Sequence, residues 1–215
     1  LHDALPISPI TVDQMIYHAR AVVRACHHCL VVCDMPFGSY QVSREDGIRN
    51  AIRIIKETGA GAVKMEGGKE IADTVKGIVD AGIPVIGHLG LTPQSIHKFG
   101  GYGLRAKEDT EAEKLIEDAL ALDAAGVSGI TLEKVPAALA NKVTAMVKAA
   151  TIGIGAGNGT DGQVLVYADA LGMTSEFKPK FLRHFANVNK CMTEGVMEYI
   201  RCVKSESFPS EAESY

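Results

Sequence analysis

No stretch of the 215-residue chain has the roughly eighteen consecutive apolar residues that a membrane span needs. Its first thirty residues also lack the basic segment and apolar core of a secretory leader. These absences predict a cytoplasmic protein with no membrane partner. A basic excess is missing too, since 22 Lys and Arg face 26 Asp and Glu for a net charge of −4. A nucleic-acid or anionic-membrane binder needs a basic face, so neither partner is expected. Five cysteines are an odd number in a chain long enough to build a core without staples, which suits a reducing compartment. Cys26-His27-His28-Cys29 resembles half of a metal clip but has no second half elsewhere, and it reads as a solvated helix end. There is no Walker pattern and no G-x-S-x-G, and "GIGAGNGTDG" falls short of a true G-x-G-x-x-G. Gly155, Gly157 and Gly159 are therefore expected to let the backbone turn tightly or approach a ligand.

What is present is an alternation. Thr11 and Gln14 form a capping-box pattern ahead of Met15, Ile16, Ala19, Val22 and Val23, predicting a helix that ends near Ala25. "CLVVCDMPF" then reads as a buried strand over 29–34. Ser43 and Asp46 start a helix stopped at Gly59, and "GAVKMEGG" follows as strand and loop. A helix over 69–81 leads to the strand "PVIGHLG". Thr110 and Glu113 are expected to cap a helix through Ala125, before the strand "GITLEKVP". A helix over 136–149 precedes "TIGIGAG", and "QVLVYADALG" supplies a last strand over 162–169. Six strands alternating with helices mean an α/β protein with a parallel sheet, either doubly wound or closed as a barrel. The barrel is favoured because Asp34, Lys64 with Glu66, His88, Glu133 and Asn158 fall at or just past the carboxyl ends of five different strands. Six strands are two short of a (β/α)₈ barrel.

Asp34 and Glu66 end neighbouring strands, where two hard carboxylate ligands suit Mg²⁺; the alternative is that each caps a loop or helix. Lys64 shares a strand face with Glu66, so its ammonium faces either a substrate carboxylate or Glu66 itself. His88 could serve an oxyanion or a proton transfer, or be structural. Glu133 follows an apolar strand where burial would raise its pKa toward that of a general base, and its alternative is an ordinary loop-facing Glu.

Taken together, "CDMPFGSY", "VKMEGG", "GHLGLTPQS", "LEKVP", "GIGAGNGTDGQVLV" and "PKF" resemble the ketopantoate hydroxymethyltransferase family from about Pro9 to Ser210. The resemblance implies a (β/α)₈ barrel of the phosphoenolpyruvate/pyruvate superfamily and a homo-oligomer. It also implies Mg²⁺, and transfer of a hydroxymethyl group from 5,10-methylenetetrahydrofolate to 3-methyl-2-oxobutanoate, giving ketopantoate for pantothenate and coenzyme A synthesis. Carried over by motif, Asp34 would bind the metal and touch the keto acid. Glu66 would hold the metal, Lys64 and His88 would line the substrate pocket, and Glu133 would accept the proton. Departures are Ala168, where the family often has His, and the absence of its Lys near Gly103. The family's two leading strands, with a Gly-Asp-Ser motif that carries a further metal ligand, have no counterpart here.

That shortfall predicts an amino-terminally truncated barrel over 9–204, with an acidic, frayed tail over 205–215. Such a chain would expose the sides of strands 29–34 and 162–169, bind Mg²⁺ poorly and turn over slowly. Residues 1–8, "LHDALPIS", read as the in-frame translation of a sequencing adapter, because "PIT" at 9–11 already fills the family's register before the first helix. Two other functions fit the same pattern: a related Mg²⁺-dependent carbon–carbon lyase or aldolase, and a catalytically dead barrel kept for assembly.

Overall fold

The structure, a computed structural model, describes residues 9–174 and 178–215. The octet 1–8 lies outside the described residues. The chain divides into two compact units, one running through Val164 and the other spanning Leu165–Tyr215.

The first unit begins with α1 (Val12–Ala25), whose capping box forms as the sequence predicts: Gln14 N–H donates to Thr11 Oγ1 at 3.2 Å and Thr11 N–H to Gln14 Oε1 at 2.8 Å. It continues through β1 (Val32–Asp34), α2 (Arg44–Thr58), β2 (Ala62–Glu66), α3 (Ala72–Asp80), β3 (Val85–Gly90), the short α4 (Ile96–Phe99) and α5 (Asp109–Ala125). Then come β4 (Gly129–Glu133), α6 (Ala137–Met146), β5 (Ala150–Ile154) and β6 (Gly162–Gln163). Ser43 caps α2 through Asp46 N–H, and Gly59 closes it in the left-handed conformation at φ 76°.

All six strands are parallel and stand in chain order, β1 to β6. A doubly wound sheet reverses its order at a switch point. Here the order never reverses, and right-handed crossovers then keep every helix on one side. Accordingly α1 packs on α2, α2 on α3, α3 on α5 and α5 on α6. The result is a curved half-barrel with one helix layer.

Strand alternation sorts the side chains. Cys33, Val63, Met65, Val85, Leu89, Ile130 and Leu132 point toward the helices and are buried in the main core. Asp34, Lys64, Glu66, His88 and Glu133 occupy the alternate positions and share the concave face.

Several elements differ from expectation. β1 holds three residues rather than six, because it pairs only with β2. The expected strand over 162–169 shrinks to Gly162–Gln163, and Tyr167–Ala170 is a helical turn, α7. A short apolar run does not by itself distinguish strand from helix. α5 starts one residue before Thr110 with Glu108 at its N-cap and no side-chain cap bond, so Thr110 and Glu113 lie inside the helix. Asp109 and Glu111 favour that start by placing negative charge in the first turn. Cys26 to Cys29 are all exposed, and no cluster of three or more His, Cys, Asp or Glu disposed to hold a metal occurs among the described residues.

The second unit contains α7 and the amphipathic α8 (Val188–Lys204), for which the sequence reading made no prediction. Asn187 caps α8 by accepting from Lys190 N–H at 3.1 Å. The segment 205–215 is exposed throughout; within it Phe208 meets Tyr199 edge-on at 5.8 Å, and Ser210 and Glu213 form a capping box around a 3₁₀ turn at Glu211–Glu213. Among the described residues no helix is long and apolar enough to cross a membrane.

Candidate active site

The carboxyl ends of β1 to β4 bring Asp34, Lys64, Glu66, His88 and Glu133 onto one face. Asp34 pairs in register with Lys64, and Glu66 with His88. Glu133 sits two residues beyond Thr131, the register partner of His88. Asn158 lies apart, exposed in the turn after β5.

Two charge groups result. Lys64 Nζ lies 2.8 Å from Asp34 Oδ2, so its partner is the neighbouring strand's aspartate rather than Glu66. Burial pushes the Lys64 ammonium down, but Asp34, then Glu66 and Glu133, more than offset it and the net shift is upward. His88, 4% exposed, stands between two carboxylates: Nε2 is 3.2 Å from Glu133 Oε2 and Nδ1 is 3.7 Å from Glu66 Oε1. Burial and the Lys64 charge push the imidazole down, while Glu133 and Glu66 pull it up, and the net direction is upward. Neither ring nitrogen has an aligned hydrogen bond, although both are buried. Buried polar atoms without an aligned partner are rare in folded proteins and mark positions held for something other than stability.

The support under Glu66 was not read from the sequence. Tyr40, 2% exposed, accepts from Glu66 N–H at 3.0 Å and donates to Gln94 Oε1 at 2.8 Å. Gln94 returns its own N–H to Glu66 Oε2 at 2.8 Å, and its side chain donates to Met35 O at 2.9 Å. Backbone and carboxylate of Glu66 are thus held by one two-residue frame. Both residues lie inside motifs already singled out, at the ends of "CDMPFGSY" and "GHLGLTPQS", but their pairing is a long-range contact that no spacing reveals.

Beside Glu133 the backbone is tightly constrained. Leu91 N–H donates to Glu133 O at 2.8 Å, and a Cβ on Gly90 would sit 2.2 Å from that oxygen. Only glycine fits there, at φ 90°. Lys134 adopts a left-handed φ of 47°, held by its N–H to Ile154 O, its carbonyl to Arg105 N–H, each 2.8 Å, and its ammonium to Tyr102 O.

The donor set is oxygen-rich: Asp34 and Glu66 offer hard ligands of the kind Mg²⁺ prefers, and His88 faces the Glu66 carboxylate from the next strand. In the octahedral six of Mg²⁺ these two carboxylates could supply two positions, leaving the rest to water or other oxygens.

The family model for ketopantoate hydroxymethyltransferase matches residues 5–211. The chain belongs to the ketopantoate hydroxymethyltransferase family. The 3-methyl-2-oxobutanoate hydroxymethyltransferase of Flavobacterium johnsoniae is 58% identical over 207 residues, covering 96% of this chain and 76% of that protein. The enzyme of the same name from Bacteroides fragilis is 56% identical over the same shares. In fold, a phosphoenolpyruvate phosphomutase from Streptomyces platensis subsp. rosaceus has a TM-score of 0.55 at 12% identity, over 95% of this chain and 75% of that one. A phosphonopyruvate hydrolase scores 0.53 at 12% identity, over 96% and 74%. Within this member of the hydroxymethyltransferase family, the five residues predicted from motifs converge on one face, and Tyr40 and Gln94 join them as positioning residues.

Proposed function

We propose that the chain is a 3-methyl-2-oxobutanoate hydroxymethyltransferase, with 5,10-methylenetetrahydrofolate as its one-carbon donor and the concave face of the half-barrel as its reaction site. The observation that carries this reading is His88, buried between Glu66 and Glu133 with both ring nitrogens unbonded, beside the Asp34–Lys64 pair. We further propose that the six strands form part of an eight-stranded barrel, since their unreversed order and one-sided helix layer are those of that architecture.

Asp34 and Glu66 would hold Mg²⁺, which when bound withdraws electron density from the keto acid and makes its C3 proton removable. Lys64, kept charged by Asp34, would face the substrate carboxylate. Glu133 would take the C3 proton, its carboxylate facing His88 Nε2 at 3.2 Å. The carbon left electron-rich attacks the folate-borne methylene carbon. That methylene carbon is bonded to two folate nitrogens: the first C–N bond breaks as the C–C bond forms, and water then displaces the second nitrogen and supplies the hydroxyl oxygen of ketopantoate. The two nitrogens take up the C3 proton from Glu133 and one proton of that water.

Proton removal can be tested without the folate. In D₂O with Mg²⁺ raised to saturation, NMR should show the C3 proton of 3-methyl-2-oxobutanoate exchanging slowly in the presence of the chain and more slowly still with Glu133→Gln. Exchange no faster than in the Glu133→Gln control overturns the reading.

A further inference from the structure

Among the described residues three buried side-chain polar atoms have no hydrogen-bond partner: the two ring nitrogens of His88 and Nε of Arg105. The first two belong to the site above. Arg105 does not. A guanidinium donates through five N–H groups and accepts through none, so an Nε–H without an acceptor is donor capacity that the protein itself does not use.

Arg105 is fixed in place rather than waving in solvent. Its side chain is 23% exposed, its backbone N–H is bonded to Lys134 O, a terminal nitrogen pairs with Glu111, and its guanidinium lies 3.9 Å over the Phe99 ring. It lines a cavity of about 400 Å³ between the Gly67–Gly68 turn, the segment after β3 and the first turns of α5. That volume is within the usual range for a small-molecule site. The cavity adjoins the reaction site: its wall includes Gly90, packed against Glu133 O, and Gly67, whose N–H bonds His88 O at 3.2 Å.

The charges identify the guest. Three cations, Lys98, Arg105 and Lys114, line the cavity with three acids, Glu70, Glu111 and Asp118. The acids are engaged: Glu111 by Arg105, Asp118 by Lys69 N–H at 3.0 Å and Lys114 Nζ at 2.6 Å, and Glu70 by Lys114 at 3.7 Å. Lys98, on an exposed side chain, meets no carboxylate in a close ion pair among the described residues and acts on Glu70 only through space, behind Lys114, and Arg105 Nε has no acceptor. The unspent capacity is therefore cationic. We propose that this cavity is a second subsite, built to bind an oxyanion, a carboxylate or phosphate borne by a small molecule, through Arg105 and Lys98.

The proposal stands whether or not the reaction above is right. Calorimetric titrations in phosphate-free buffer can separate the two sources of such an oxyanion: inorganic phosphate for a phosphorylated ligand, and 5-formyltetrahydrofolate against its pteroate counterpart, which lacks the glutamyl carboxylates. Expected is either phosphate binding that Arg105→Met weakens at least tenfold, or a preference for the glutamyl form of at least tenfold that Arg105→Met abolishes. Lys98→Gln, on an exposed side chain, should weaken the same ligand several-fold and decides the matter if Arg105→Met fails to fold. Binding of phosphate and of both folate forms that is absent, or unchanged in these variants, overturns the subsite.

Discussion

Tyr40→Phe isolates the frame beneath Glu66. Phenylalanine keeps the ring, which is 2% exposed, so no cavity is created and the loss is confined to the hydroxyl. Three contacts of the hydroxyl go at once: it accepts from Glu66 N–H at 3.0 Å, and its single proton is shared between Gln94 Oε1 at 2.8 Å and Glu66 O at 3.1 Å. A buried group left without its partner costs about 1–3 kcal/mol. Gln94 Oε1 retains Gln41 Nε2 at 3.1 Å, so most of the cost falls on the Glu66 amide. The variant should therefore lose about 2–3 kcal/mol, the sum of one full penalty and one partial one. In a chain of this size that lowers the melting temperature by roughly 5–10 °C. Urea denaturation should show the midpoint falling with an unchanged slope. Gln94→Leu combined with Tyr40→Phe should cost less than the two separately, because they share one bond. Deuterium exchange of the keto acid should slow by about tenfold as Glu66 shifts, by analogy with losses on mutating residues that orient metal ligands. A stability change below about 0.5 kcal/mol, the level of ordinary surface substitutions, refutes the frame.

Burial, and then the Asp34 charge, push the Cys33 thiol up to about 11, whereas Cys26, Cys29 and Cys191 are exposed. At pH 8 only about one Cys33 in a thousand is thiolate, the reactive form. Iodoacetamide at that pH should label the three exposed cysteines in the native protein and Cys33 only in denaturant; equal rates contradict its placement. The N–H and hydroxyl of Thr151, the former the larger influence, hold the Asp161 carboxyl below its ordinary value. A depressed carboxylate stabilises the fold fully above the unfolded pKa, about 3.9, and the contribution is lost as pH falls through the lower folded value. Asp161→Asn should flatten that acid limb of the stability curve, and an unchanged limb tells against the Thr151–Asp161 link.

Strand faces and chain order were the legible part of the fold. The runs at 62–66, 85–90, 129–133 and 150–154 are apolar on one face, flanked by glycine or helix caps, and each forms a strand where expected. Thr11, Ser43 and Gly59 act locally, so their caps could be read from neighbours three or four residues away. The failures share a cause in contacts between distant residues. β1 and β6 are short because each has a single neighbour, which the apolar runs at 29–34 and 162–169 do not encode.

The same distinction explains the site. A parallel sheet is ordinarily apolar on both faces, so charged residues spaced two apart, such as Lys64 and Glu66, are conspicuous against their surroundings and could be picked out one by one. Which of them pair could not be. Lys64 turns to Asp34 rather than Glu66 because strands 1 and 2 put those two residues in register, while Glu66 is opposite His88. Register is a property of the sheet, set by loop lengths and packing. Arg105 is the extreme case: in "GYGLRAKED" it reads as one more loop cation, and only the fold surrounds its Nε and leaves that atom without a partner. Chemistry announced by residue type was therefore visible in the chain, whereas chemistry created by burial required the structure.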